Sequence, residues 1–194
     1  MSNLEDLNFY EENFYEENLN KIDNIVFLDI DGVLNDMNQP CTYKFKEESI
    51  DVLNYLYKKY NINIVISSSW REAYTFAFLQ KLLKDNGILA PIIDKTNVFF
   101  KEKEDINCAS LEEIENLNED ISNIYSRDYE ILDWLKRFKP NHFLILDDFK
   151  MSNSLLFKHQ VLTKYWSYNQ NDLALNKNQI DLCEYILELE EVEW

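Results

Sequence analysis

The stretch FLDIDGVLN (27–35) decides how the rest of the chain is interpreted. It starts inside the apolar run Ile25–Leu28, which predicts a buried strand. Asp29 and Asp31 follow that strand, and Gly32 can break the strand geometry so that both carboxylates converge on one point. Two such charges are costly together unless a cation offsets them or one takes a proton, and hard oxygen ligands suit Mg²⁺. Alone, the pattern also fits a surface turn or a calcium loop, and the strand before it favours a functional site.

A second apolar run ends in residues that suit a phosphate group. The predicted strand Asn63–Ile66 is followed by SSSWR (67–71). The hydroxyls of Ser67 and Ser68 can donate to phosphate oxygens, as can the backbone N–H groups at the start of the next helix. Arg71 can add a charge-assisted contact. The alternative is an ordinary serine cap on that helix.

A third apolar run ends in two adjacent carboxylates. The predicted strand Asn141–Leu146 is followed by Asp147 and Asp148. Adjacent carboxylates after a buried strand suggest a metal ligand with a supporting neighbour. In an acidic chain the alternative is a solvated acidic loop.

Between these runs, apolar strands alternate with amphipathic helices. This order predicts an α/β fold, a Rossmann-like three-layer sandwich with a mainly parallel central sheet. In such sheets the ligand crevice lies outside the carboxyl ends of the strands, so the three motifs should meet at one edge. The remaining predicted elements are a strand from Pro91, a strand Val161–Leu162, and helices Glu47–Tyr60, Arg71–Asp85, Asp128–Phe138 and Asn178–Glu190.

These three motifs carry a family resemblance. FLDIDGVLN (27–35), IVISSSWR (64–71) and FLILDD (143–148), in this order, resemble the haloacid dehalogenase-like (HAD) hydrolase superfamily. A closer resemblance is to the HAD phosphatase domain of Swiss Army Knife RNA repair proteins. There SSxWR, a later R-x-x-E-I on a helix and LDD occur together, and the helix here reads RDYEI (127–131). The tail 161–187 also resembles the closing strand and helix of that family.

The resemblance implies a role for each motif residue. Asp29 would be the nucleophile, and Asp31 the general acid and then the base. The backbone carbonyl of Asp31 would also bind Mg²⁺. Asp147, supported by Asp148, would complete a metal site with Asp29.

The resemblance also implies the residues that hold the phosphoryl group. Ser67 would bind it, with further contacts from Ser68, Arg71 and Gly32. The superfamily expects a basic catalytic residue, usually lysine, and Arg127 is the best-placed candidate here. Lys95 and Lys150 are weaker candidates.

The predicted function is therefore that of a Mg²⁺-dependent phosphatase, which hydrolyses a phosphomonoester through a phospho-aspartate. Too few residues separate the first motif from the next helix for a large cap domain, although 94–126 can form a small insertion or lid. Capless members of the superfamily often act on macromolecular ends, which favours a polynucleotide end. The net charge of −17 argues the other way, because it repels nucleic acid phosphates.

Other functions stay open at this point. One is a small-molecule or nucleotide phosphatase, and others are a phosphotransferase or C–halogen hydrolase. A third class is a catalytically inactive HAD-like module that binds a protein partner. The acidic arm 1–20, with its NFYEE repeat, is the candidate surface for such a partner. Residues 21–194 are expected to form a single domain, and the oligomeric state is left open.

Several residues are interpreted as structural. Cys41, Cys108 and Cys183 have no metal-type spacing and are expected to be buried thiols. The other residues expected to pack are His142, His159, Trp70 and Trp134, while Trp166 and Tyr168 are candidates for substrate contact. No apolar run approaches the ~20 residues of a membrane span, and the acidic N-terminus is unlike a signal peptide, so a cytoplasmic location is expected.

Overall fold

The computed structural model describes residues 23–38, 43–98, 126–192 and 194. Within them, five parallel strands form one sheet in the order β3-β2-β1-β4-β5. The strands are β1 (Asn24–Leu28), β2 (Asn63–Ile66), β3 (Ile92–Lys95), β4 (His142–Asp147) and β5 (Gln160–Leu162). Because the first and third motif strands are β1 and β4, they lie side by side at the centre of the sheet.

Helices cover both faces of the sheet. They are α1 (Glu47–Tyr60), α2 (Trp70–Ala73), α3 (Phe76–Asp85), α4 (Ser126–Phe138), α5 (Ser154–Lys158) and α6 (Ile180–Leu187). On one face, side chains such as Val26 and Leu144 pack against α1, α3 and α6. On the other, Phe27 and Phe143 pack against Trp134 of α4 and against α5. The α/β three-layer prediction is confirmed, and Trp134 packs in the core as expected.

Two predicted helices differ from the structure. The helix expected over 71–85 is two helices, because the chain is extended at Tyr74 and Thr75. Thr75 then caps α3, with its Oγ1 accepting from the backbone N–H of Phe78 at 3.3 Å. The helix expected over 178–190 begins as a 3-10 turn, Lys177–Gln179, before α6. A side-chain cap thus starts α3 where the apolar spacing alone predicts a continuous helix, and the capping box of Asn176 starts the 3-10 turn that leads into α6.

Only some of the remaining predictions about chain organisation concern residues that the structure describes. Cys183 is a buried free thiol, as expected. The acidic arm 1–20, Cys41, Cys108 and residues 99–125 of the predicted insertion lie outside the described residues. The described residues contain no large cap domain. No helix in this part of the chain has the length and apolarity needed to cross a membrane.

Candidate active site

Three carboxylates meet at the carboxyl ends of β1 and β4. Asp29 follows β1, Asp147 is the last residue of β4, and Asp148 follows it. One oxygen from each lies within 4.8 Å of the others. Asp29 and Asp147 are buried and Asp148 is half-buried. The central strand pairing therefore brings together residues that are far apart along the chain, as the parallel topology predicts.

Arg127, in the first turn of α4, lies against this cluster. Its Nη1 is 2.7 Å from Oδ2 of Asp147 and 3.4 Å from Oδ1 of Asp29. Burial alone would lower the pKa of Arg127, but the negative charges of Asp29 and Asp147 raise it above its usual value. Arg127 thus supplies a fixed positive charge between the two carboxylates. Lys95 and Lys150 point elsewhere, with Nζ of Lys95 3.4 Å from the carbonyl of Arg71 and Lys150 over the Phe157 ring.

One arginine does not neutralise two buried carboxylates and a half-buried one. Burial, followed by the charge of Asp29, raises the pKa of Asp147 to about 7 and that of Asp148 to about 6. The backbone N–H of Phe149 donates to Oδ1 of Asp147 at 2.8 Å and offsets only part of this effect. Such a cluster of hard oxygen ligands can hold a divalent cation, which would relieve the repulsion.

Asp31 lies beside the cluster and outside the group of three. Its Oδ1 accepts from Asn35 Nδ2 at 2.8 Å, and its Oδ2 accepts from Trp70 Nε1 at 2.7 Å. These donors fix the orientation of the carboxyl group. Trp70, which was expected only to pack, therefore connects the SSSWR motif to the first motif. The predicted metal contact through the Asp31 backbone carbonyl remains a prediction.

Gly32 makes the close approach of the two motif loops possible. Its φ is +80°, and a Cβ placed there would lie 2.5 Å from Cγ of Asp148. Its backbone N–H donates to Asn35 Oδ1 at 3.2 Å. Only glycine fits this position without displacing a carboxylate of the cluster. The predicted contact of Gly32 with phosphate stays a prediction.

Ser67 follows β2 and presents an unused hydroxyl. The residue is fully buried, and its Oγ has no hydrogen-bond partner among the described residues. Its backbone N–H donates to the carbonyl of Leu28, which places Ser67 next to the end of β1. Buried hydroxyls are normally satisfied, so this one suits a ligand oxygen. Ser68 is also buried, and its Oγ accepts from the backbone N–H of Trp70 at 3.4 Å.

Arg71 makes buried contacts with the backbone of the Ser67 loop. Its guanidinium is buried and donates to the carbonyls of Ser67 (2.5 Å), Ser68 (2.6 Å) and Thr96 (3.2 Å). It also forms an ion pair with Glu130 of α4. These contacts place Arg71 behind the Ser67 loop, where it holds that loop in position. The predicted contact of Arg71 with phosphate stays a prediction.

Glu130 is the residue whose part the sequence reasoning missed. The motif RDYEI (127–131) predicts a helix, but it does not by itself predict the contact with SSSWR (67–71). In the structure, Glu130 pairs with Arg71, and Arg127 pairs with Asp29 and Asp147. The spacing of three residues on a helix was the available signal, because it puts both side chains on one face.

The other singled-out residues lie away from the cluster or remain untested. His159 contacts the carbonyl of Leu155 at 2.8 Å and stacks on Phe143, in keeping with a packing role. Trp166 and Tyr168 are exposed and contact each other, with ring centroids 4.4 Å apart. Their contact with a substrate stays a prediction.

An all-parallel α/β sheet with this acidic cluster at its central strand ends is the arrangement of the HAD-like hydrolases. The sequence model of one family, described as "HAD domain in Swiss Army Knife RNA repair proteins", matches residues 25–169. That range is well over half of the chain, and it includes all three motifs and α4. The chain belongs to this HAD family, which implies a hydrolase. No curated protein and no solved structure matches it.

Proposed function

We propose that the chain is a Mg²⁺-dependent phosphatase that hydrolyses a phosphomonoester through a phosphorylated Asp29. The observation that carries this proposal is the cluster of three carboxylates with Arg127 on one side and the unpartnered Ser67 hydroxyl near the end of β1. A nucleophile, a cation site and a phosphate-binding hydroxyl are the parts that phosphoryl transfer needs.

The residues present fit a magnesium ion. Asp29, Asp147 and Asp148 offer one oxygen each within a small volume, and the backbone carbonyl of Asp31 is a fourth candidate ligand. Mg²⁺ usually binds through a few carboxylates, waters and substrate phosphate, and this set leaves room for them. When bound, the ion neutralises charge on the nucleophile and on the phosphoryl oxygens.

The first step is transfer of the phosphoryl group to Asp29. An oxygen of Asp29 attacks phosphorus, and the bond from phosphorus to the leaving oxygen breaks. Asp31 gives its proton to that oxygen, so the product leaves as an alcohol. Ser67 donates to a phosphoryl oxygen, and Arg127 supplies positive charge beside the reacting carboxylate.

The second step releases phosphate. Water attacks phosphorus, and Asp31, now a carboxylate, takes the proton of that water. The bond between phosphorus and Asp29 breaks, which restores the nucleophile and gives inorganic phosphate. The hydrogen bonds from Asn35 and Trp70 keep Asp31 in one orientation for both proton transfers.

We propose a nucleic acid end as the substrate. The family's description refers to RNA repair, and the described residues contain no large cap that would exclude a long ligand. Residues 21–194 are proposed to act as one domain, with 94–126 as a small insertion and the arm 1–20 as a contact for a protein partner.

The test is hydrolysis of a panel of phosphomonoesters by the full chain, with Mg²⁺ and with EDTA. Asp29→Asn should abolish turnover, and Asp31→Asn should lower kcat by about 10²–10⁴-fold. Asp133→Asn, an exposed change on α4, is the matched control and should leave turnover unchanged. Metal-dependent turnover by wild type should come with a phosphate adduct on Asp29 in rapidly quenched samples. Absence of turnover across the panel, or full activity in Asp29→Asn, would refute the proposal.

A further inference from the structure

A cluster of four aromatic side chains lies next to Asp31. Tyr43, Trp70, Tyr74 and Phe78 form a continuous set, with ring centroids 4.8–6.2 Å apart. The rings of Tyr74 and Phe78 are stacked, with 22° between their planes. Tyr43 and Phe78 are exposed, at 51% and 38%. We call these four residues the aromatic platform.

The platform is attached directly to the proposed chemistry. Trp70 Nε1 donates to Oδ2 of Asp31, so the platform starts at the residue that would protonate the leaving oxygen. If Asp31 protonates the leaving oxygen, the leaving group departs near the two residues that contact this carboxyl group, Asn35 and Trp70. Tyr43 packs on Trp70 with a centroid distance of 6.0 Å and extends the surface outward. Trp70 and Tyr74 pack partly against the core. The rings of Tyr43 and Phe78, by contrast, are exposed beside the site and available to a ligand.

We propose that the aromatic platform stacks a nucleobase of the leaving group, so that the substrate is a nucleoside phosphomonoester, either a free nucleotide or the end of a polynucleotide. This inference rests on the proposed phosphatase function. Stacking uses the flat face that every base has, and it works without a basic surface. It therefore explains how a chain of net charge −17 can hold a nucleic acid end.

The chemistry disfavours the other common aromatic phosphoester, phosphotyrosine. Its ring is bonded directly to the leaving oxygen and would lie at Asp31 itself, leaving the outer rings unused. A phenol, with a pKa of about 10, also leaves with little need for an acid. A carboxylic acid held in one orientation, Asp31, beside the aromatic platform suits an alcohol leaving group whose aromatic ring lies further from the leaving oxygen.

The first experiment compares substrates with and without a base. The kcat/KM of the full chain is measured with adenosine 3′- and 5′-monophosphate, a short phosphate-ended oligonucleotide, ribose 5-phosphate and a phosphotyrosine peptide. For each of Tyr43→Ala and Phe78→Ala, the kcat/KM for base-bearing substrates, divided by the kcat/KM for the base-free substrate, should fall about tenfold. Tyr43→Leu, which keeps apolar bulk without a flat face, should do the same, and Tyr185→Ala, an exposed change on α6, should not.

The same substrates also distinguish a free nucleotide from the end of a polynucleotide. A preference for the oligonucleotide indicates a polynucleotide end, and equal values indicate a free nucleotide. A higher kcat/KM for the phosphotyrosine peptide than for the nucleotides would overturn the proposal. Equal losses of kcat/KM on all substrates in the Tyr43 and Phe78 variants would overturn it as well.

The second experiment does not depend on turnover. Binding of adenosine monophosphate and of ribose 5-phosphate to the Asp29→Asn chain with Mg²⁺ is measured by calorimetry. The nucleotide should bind about tenfold or more tightly, and Tyr43→Ala should remove that difference. No base-dependent difference, including no binding of either ligand, overturns the inference. Base-dependent binding in a chain whose wild type hydrolyses nothing would refute only the proposed phosphatase function.

Discussion

Replacing Glu130 by glutamine tests the buried connection between the Ser67 loop and α4. The side chains of Arg71 and Glu130 are only 1% and 4% exposed, so the ion pair lies in a region with little water. Glu130→Gln keeps the shape and one acceptor but removes the ion-pair partner of the Arg71 guanidinium, which leaves the charge of Glu72 as a weaker compensation. Removing one partner of a buried pair costs about 3–5 kcal/mol, because the remaining charge stays desolvated. The carbonyls of Ser67, Ser68 and Thr96 still accept from Arg71, so the lower end, about 3 kcal/mol, is expected.

Urea and thermal unfolding measure this loss. At about 2–4 °C for each kcal/mol in a chain of this size, the melting temperature should fall by about 6–12 °C. Asp133→Asn, in an exposed pair with Arg137 on the same helix, is the matched control and should cost less than about 1 kcal/mol. Removing both charges with Arg71→Met and Glu130→Leu should not restore wild-type stability, because the three carbonyls lose their donor. If Glu130→Gln is no more destabilising than the control, the reasoning is refuted.

Three further perturbations follow from the same site. Gly32→Ala should abolish phosphatase activity and unfold more readily than Gly87→Ala. Both positions have positive φ, but a Cβ at Gly32 would lie 2.5 Å from Cγ of Asp148, whereas a Cβ at Gly87 would make an ordinary contact with Ile50 at 4.0 Å. Equal losses of stability in urea would contradict this. Arg127→Lys should keep activity within about tenfold, since one nitrogen, Nη1, makes the contacts with both Asp29 and Asp147. Arg127→Met should lose about 10²–10³-fold in kcat, because it removes the positive charge. Burial, followed by a neighbouring negative charge, raises the pKa of Asp147 to about 7 and that of Asp148 to about 6. The folded chain then binds more protons than the unfolded chain between roughly pH 4 and 7. Without metal, these two groups lower stability as the pH rises through that window. Asp147→Asn should therefore flatten the pH dependence of the melting temperature measured in EDTA. Mg²⁺ should weaken the same pH dependence in the wild-type chain.

Much of the fold was predictable because strand burial leaves a direct signal. A strand buried on both faces is a nearly continuous apolar run, so the apolar residues 64–66, preceded by Asn63, predict β2 at its observed bounds. The ends of α1 were also predicted, from Glu47 to Tyr60. The break after α2 was not, because Thr75 starts a new helix through a single side-chain cap that the apolar spacing does not reveal.

The candidate site was predictable to the extent that topology places it. Because parallel strands end at one edge, Asp29 and Asp147 were expected to meet, and they do. No comparable rule predicts the direction in which a long side chain points. Arg71 has the charge to bind phosphate, but the sequence did not predict that its guanidinium also contacts Glu130 and the carbonyl of Ser67. Trp70 could be assigned to packing from its size, but not to a hydrogen bond with Asp31.

The pairing of β1 with β4 also sets the order in which the site can assemble. β1 and β2 are separated by one helix and can pair early, whereas β4 closes a much longer loop, which raises the entropic cost of its docking. The repulsion between Asp29 and Asp147 therefore arises only when β4 joins the sheet, late in folding. A cation that needs all three carboxylates binds the finished arrangement and not its precursors. It should accordingly prolong the lifetime of the native state by slowing unfolding, and leave the rate of folding almost unchanged.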